Sequence, residues 1–198
     1  MLTALQNYPL LPDSGAFQKM SHVLVLLPAG DELPADCPDV DLLRATLARR
    51  QIDADELSSE PQLANSPAGG LRVWLMLDPA KSTFENQSLL RQGIETLLDE
   101  EPLTVDVIIS PKFAAVDWAT ELVSYVILAN GTPLPSRKQK DAPRALATLN
   151  IWGCGANPRD AHALAEGNLL ARSLTALPPN ELTPAVYREK VAALASEH

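Results

Sequence analysis

Cysteine is almost missing from this sequence. The 198 residues hold two, Cys37 and Cys154, far apart and in unlike contexts, which excludes a disulfide framework and any Cys-x-x-Cys metal or redox motif. A reducing compartment is the expectation. Histidine is as scarce, with His22 on a predicted strand, His162 on a predicted helix and His198 at the last position. No His-x-x-x-His or His-Glu pairing joins them, so metal-ligand spacing is absent.

Positive charge is short as well: 16 Lys and Arg stand against 25 Asp and Glu, a net charge of -9. That balance opposes a nucleic-acid partner, which needs clustered cations to displace condensed counterions. The basic knot Arg137, Lys138, Lys140 and Arg144 reads as a solvated loop. No apolar run reaches the ~18 residues of a membrane span, and Met1 to Pro12 has no basic segment ahead of an apolar core. The expectation is a soluble cytoplasmic protein that leaves membranes alone.

Catalytic signatures are equally thin. No Gly-x-Ser-x-Gly elbow occurs, and neither Cys37 beside Pro38 nor Cys154 stands next to a base. The acidic stretches from Asp31 to Asp41 and from Asp53 to Glu60 do not spell a calcium loop. Gly153-Cys154-Gly155 lies between a predicted strand and helix, but the third glycine of Gly-x-Gly-x-x-Gly falls on Pro158, so a tight turn is the reading. No catalytic, cofactor-binding or metal-binding residue is assigned.

What the sequence does hold is an alternation. Apolar runs at Ser21 to Leu27, Leu71 to Leu77, Leu103 to Ile109 and Arg144 to Trp152 read as strands. Helical spacing marks Asp41 to Arg50, Thr83 to Asp99, Phe113 to Ala129 and Pro158 to about Ala176, the last with Asn157 as its N-cap. Residues 53 to 70 read as a flexible surface loop, and residues 1 to 20 as a loose arm or a short edge strand. The strands lack clean period-2 patterning, which predicts an α/β fold: a three-layer mixed or mostly parallel sheet with helices on both faces.

Gly167 to Pro184 stands apart as a junction. A helix with the stripe Ala161, Leu164, Gly167 or Asn168, Ala171 and Leu174 runs into Pro178-Pro179, and Asn180 to Pro184 restarts a second helix toward His198. Gly167 inside that stripe predicts close packing against another element, since glycine costs about 1 kcal/mol of helix propensity against alanine.

The wording Asn168-Leu169-x-Ala171-Arg172-x-Leu174 followed by Pro178-x-Asn180-x-Leu182-Thr183-Pro184 resembles the entry to the catalytic domain of the leucyl aminopeptidase family of two-metal exopeptidases. Leu170 is an insertion relative to the usual pattern, and Thr175-Ala176-Leu177 replaces the usual Val-Asn-Thr, which marks a divergent branch. The resemblance implies a macro-domain-like N-terminal accessory domain over residues 1–155, a linker helix over 156–177 and the first helix of a truncated catalytic domain over 178–198. It implies that the parent enzyme removes N-terminal amino acids from peptides with two divalent ions, zinc or manganese, and assembles as a hexamer. It also implies that these residues have their own C-terminal catalytic domain as partner. The family's Asn-Thr-Asp-Ala-Glu-Gly-Arg metal signature does not occur here, so no catalytic residue carries over. The alternative is a macro-like ligand-binding module, or a regulatory one that contacts DNA; the broken glycine fingerprint opposes the first and the charge the second. Without a catalytic domain, Leu164, Ala171 and Leu174, with Val186, Val191 and Leu194 of the last helix, are expected to lack partners.

Overall fold

Apolar runs with no side chain suited to water must be covered on both sides, which places them at the centre of a sheet. In this computed structural model, which describes residues 3–134, 143–155 and 158–197, the two purest runs do lie there. The strands are β1 (Ala4–Tyr8), β2 (His22–Pro28), β3 (Gln62–Asn65), β4 (Leu71–Leu77), β5 (Thr104–Ile109) and β6 (Thr148–Trp152). The helices are α1 (Ser14–Lys19), α2 (Val40–Arg50), α3 (Thr83–Leu98), α4 (Val116–Asn130), α5 (Arg159–Thr175) and α6 (Pro184–Glu197). The six strands form one sheet in the order β1-β6-β5-β2-β4-β3, parallel throughout except for β3, which pairs antiparallel to β4.

Helices cover both faces. On one, Phe17 of α1 and Leu43 and Leu47 of α2 pack on Val23, Val25, Leu27, Trp74 and Met76. On the other, Leu90 and Ile94 of α3 and Val123 and Ile127 of α4 pack on Leu24, Leu26, Val73 and Leu75. Gly93 lets α3 come close to β4, because a Cβ there would stand 3.0 Å from Leu75 Cδ2 and 3.3 Å from Val73 Cγ1. Ser82 caps α3 reciprocally with Glu85: the Ser82 N–H and hydroxyl both donate to Glu85 Oε2, at 2.9 and 2.6 Å.

One residue breaks the apolar rule inside β4. Arg72 is fully buried, and its guanidinium donates to Asp39 Oδ2 at 3.1 Å, to the Met20 carbonyl at 2.9 Å and to the Phe17 carbonyl at 3.3 Å. It also lies 4.8 Å from the Phe17 ring centroid. A buried cation survives only when its donors are answered, and these partners tie α1 and the start of α2 to β4.

Two expectations need correction. Residues 53 to 70 are not one loose loop: Ala54–Ser58 is a 3-10 turn and Gln62–Asn65 is the edge strand β3. Residues 1 to 20 do hold an edge strand, β1, but also the unexpected helix α1, which starts where the Ala16 N–H donates to Asp13 Oδ1 at 2.8 Å. The Asn157 cap and the basic residues Arg137, Lys138 and Lys140 lie outside the described residues; Arg144 is exposed.

Helix α5 packs on α4 rather than on the sheet. Its described buried residues are Ala161 and Ala165, and Asn168 Nδ2 donates to Tyr125 Oη at 3.2 Å while Arg172 Nη1 donates to the Ala129 carbonyl at 2.7 Å. Gly167 is exposed, with nothing within 4 Å of a Cβ built on it, so the expected close packing of that glycine is absent. The small alanines make the close approach to α4, which leaves Leu164 60% exposed and Ala171 exposed. None of the residues described in α6 is buried; Val191 is exposed and Val186 and Leu194 are half-buried.

Candidate functional site

The residues that chemistry would nominate first are each occupied structurally. His22 Nε2 lies 2.9 Å from Glu100 Oε2 and its Nδ1 lies 3.0 Å from Ser21 Oγ, at the start of β2. His162 sits on exposed α5, 3.8 Å from Glu166. Burial, reinforced by Asp36 and Asp39, pushes the Cys37 thiol up to about 12, and burial raises Cys154. Neither is a thiolate at neutral pH, so neither is a ready nucleophile. Among the described residues no three His, Cys, Asp or Glu side chains converge as metal ligands.

The glycine turn after β6 is built for packing. Gly153 has φ 71°, and a Cβ there would stand 2.6 Å from the Ile109 carbonyl oxygen, so only glycine fits. The Gly155 N–H donates to Thr120 Oγ1 at 3.2 Å, and the Asp117 carboxylate fills the space beside Gly155. A phosphate would find that N–H taken and a carboxylate in its way, the reverse of an anion cradle. The buried Asp106 of β5 is also satisfied: Asn150 Nδ2 and Trp152 Nε1 donate to its Oδ1 at 2.9 and 3.0 Å, which fixes β6 beside β5.

A groove of about 700 Å³ runs where α3, α4 and α5 meet. Trp118, Leu122 and Tyr125 of α4 and Leu164 of α5 give it an apolar wall; Thr83 and Gln87 of α3, with Glu121 and Asn168, are its polar members. Trp118, Leu122 and Tyr125 recur at i, i+4 and i+7 and so share a face of α4, while Leu164 and Asn168 are one turn apart on α5. Past Tyr125 and Asn168 the groove continues toward Arg91 and Arg172.

Two oxygens in it, Glu121 Oε1 and Asn168 Oδ1, are shut off from water without a partner of their own among the described residues, while the Ala161 N–H bonds the Glu121 carboxyl and the Asn168 amide pairs with Tyr125 Oη. Burial raises the Glu121 pKa, the Ala161 N–H of the first turn of α5 pulls it back, and Asp160 raises it again. None of this was nominated from the sequence, because three separate helices assemble the groove. The available signal was a carboxylate and a phenol, Glu121 and Tyr125, on the apolar side of α4.

No protein-family model matches the sequence. Among curated proteins, 64 residues are 44% identical to a probable cytosol aminopeptidase of Methylorubrum populi, a match over 30% of this chain and 13% of that protein. Among solved structures, the chain is similar to a mutant tomato leucine aminopeptidase, with a TM-score of 0.73 at 17% identity over 98% of this chain and 42% of the other. It is similar to the leucyl aminopeptidase of Trypanosoma cruzi, with a TM-score of 0.60 at 18% identity over 99% of this chain and 41% of the other. The bottromycin maturation enzyme BotP, solved in complex with Mn, gives a TM-score of 0.62 at 16% identity over 89% of this chain and 36% of the other. The chain therefore spans less than half the length of each relative. What it shares with the leucine aminopeptidases is the mostly parallel α/β fold of their N-terminal region, and the junction wording of Gly167 to Pro184 resembles the same family.

Proposed function

We propose that these residues are the non-catalytic N-terminal domain of a metallo-aminopeptidase that removes N-terminal amino acids from peptides. The observation that carries this reading is the likeness of fold over 98% of this chain but only 42% of a leucine aminopeptidase. The proposed division is an accessory domain over residues 1–155, a linker helix over 156–177 and the opening of the catalytic domain over 178–198. The natural enzyme would be cytoplasmic and hexameric, with this domain shaping the assembly and substrate access.

Two divalent ions, zinc or manganese, belong to the proposed catalytic domain. The residues present do not fit them: the described ones hold no converging group of three His, Cys, Asp or Glu side chains, and the family's metal signature is absent from the sequence. No catalytic step is assigned to residues 1–198.

The test is hydrolysis of leucine p-nitroanilide with added manganese or zinc. We expect none from the 198-residue polypeptide, and chelator-sensitive turnover from the protein encoded by the reading frame continued past His198. A stop codon at that point, or metal-dependent turnover by the 198 residues alone, would overturn the proposal.

A further inference from the structure

Two helix stripes cross the groove in step. On α3, Thr83, Gln87 and Arg91 recur every four residues, and on α5 Leu164, Asn168 and Arg172 do the same. Thr83 and Leu164 line the wide end, Gln87 and Asn168 line both parts, and Arg91 and Arg172 line the narrower continuation of about 250 Å³. The groove therefore changes character along its length: an apolar compartment beside Trp118 and Leu122, then a pair of amides, then a pair of arginines. Its apolar end is open, since Leu164 is 60% exposed and a Cβ on Gly167 would meet nothing within 4 Å.

The arginines keep donors to spare. Arg172 Nη1 donates to the Ala129 carbonyl at 2.7 Å and Arg91 Nη1 to Glu95 Oε1 at 2.8 Å, one contact each from a group with five N–H donors. The Arg91–Glu95 pair is half-exposed, and such a pair is weak enough for an incoming carboxylate to compete with it. Glu121 lines only the apolar end, so it adds like charge there and none beside the arginines. From Leu164 to Arg172 the helix rises about 12 Å, the length of roughly three extended residues.

We infer that the groove binds the C-terminal end of a peptide of about that length. Its free carboxylate meets Arg91 and Arg172, a peptide group meets Gln87 and the second amide N–H of Asn168, and an apolar side chain lies against Trp118, Leu122 and Leu164. This site is separate from any catalytic one and does not rest on the aminopeptidase reading.

The probe is acetyl-Leu-Ala-Leu with a free carboxylate, titrated calorimetrically into the full-length protein; the acetyl group denies an aminopeptidase the amino end it needs. We expect saturable binding that weakens about tenfold or more when the peptide carboxylate is amidated or when Arg91→Gln is introduced, the worth of a hydrogen bond to a charged group. Gly167→Leu should weaken binding as much by filling the open space, while its unfolding temperature holds or rises, because leucine is the better helix former and its Cβ clashes with nothing. Dodecanoate, which has the carboxylate and the apolar body without the peptide groups, should bind more weakly than the peptide. The inference is overturned by no saturable binding up to about 1 mM, by equal binding of acid and amide, by unchanged binding in Gly167→Leu, or by dodecanoate binding as tightly as the peptide. Leucine p-nitroanilide turnover, read separately on the same protein, decides the aminopeptidase reading whichever way the titration falls.

Discussion

Replacing Asp39 by alanine should be among the most damaging single changes in this domain. Among the described residues the carboxylate is the only anion paired with the Arg72 guanidinium, whose side chain is 0% exposed while that of Asp39 is 16% exposed. Removing one partner of a buried pair leaves an uncompensated charge and costs about 3–5 kcal/mol. The partial exposure of Asp39 lets some water reach the vacated edge, so about 3 kcal/mol is the appropriate end of that range. Backbone adds to it: Asp39 has φ 52°, a left-handed conformation that aspartate tolerates and alanine resists at about 1 kcal/mol. The sum, about 4 kcal/mol, corresponds to a fall of roughly 8–16 °C in Tm for a chain of this size. Asp39→Asn keeps the left-handed tolerance and an acceptor oxygen, and should cost about half as much. The control is Asp41→Ala, which removes a pair 58% and 94% exposed and should cost no more than about 0.5 kcal/mol. Urea unfolding read by tryptophan fluorescence is the assay, helped by Trp74, whose Nε1 donates to the Pro38 carbonyl beside Asp39 at 3.2 Å. If Asp39→Ala falls within about 1 kcal/mol of Asp41→Ala, the guanidinium is hydrated and the buried-charge argument is wrong.

The native thiols should be silent to a disulfide reagent at pH 8 and react only on denaturation; prompt reaction of Cys37 would refute its burial. Because folding raises Cys37 from 9.0 to about 12, the unfolded chain releases its proton first, so this thiol's contribution is complete below pH 9 and is lost as pH climbs toward 12. Stability that rose with pH across that window in a comparison with Cys37→Ala would have the wrong sign. Gly167→Ala should slow amide exchange around the middle of α5, by up to the roughly fivefold that about 1 kcal/mol of helix propensity supplies, and faster exchange would restore the close-packed glycine. In the 198-residue polypeptide, amides of α6 should exchange at least about a hundredfold faster than those of β2 and β4, because none of its described residues is buried; equal protection would mean that the tail belongs to this domain's core.

The fold was legible where burial is symmetric and punctuation is sharp. Leu71–Leu77 has the same bounds in sequence and structure, since an all-buried run ends at Asp78-Pro79. The missed elements are those held by little burial: α1 has six residues and buries Phe17 alone, and β3 has four residues at an edge, drawn from a stretch whose composition signals a loop. The α5 stripe was read by hydrophobicity, which ranks Leu164 above Ala161 and Ala165. Close helix approach favours the smaller side chains, so the true contact face is rotated from the greasiest one. The groove was illegible because it forms only when α4 and α5 meet, with Tyr125 and Asn168, 43 positions apart, brought together. The junction was read from its wording, a resemblance that needed no folding argument.

The placement of β1 has a consequence for how the chain is made. Ala4 to Tyr8 pair with Thr148 to Trp152, so the first strand synthesised docks on the last one of the sheet. At about 5–20 residues per second, the N-terminal strand waits roughly 7–30 s on the ribosome before its partner has been polymerised. During that interval β5 presents an unsatisfied edge, because β6 alone separates it from β1. Closure across some 144 positions is a long-range contact of the kind that slows folding, and it is the step most exposed to capture by another nascent chain. A truncation before Thr148 would therefore remove more than one strand: it would release β1 and leave a parallel edge open to aggregation.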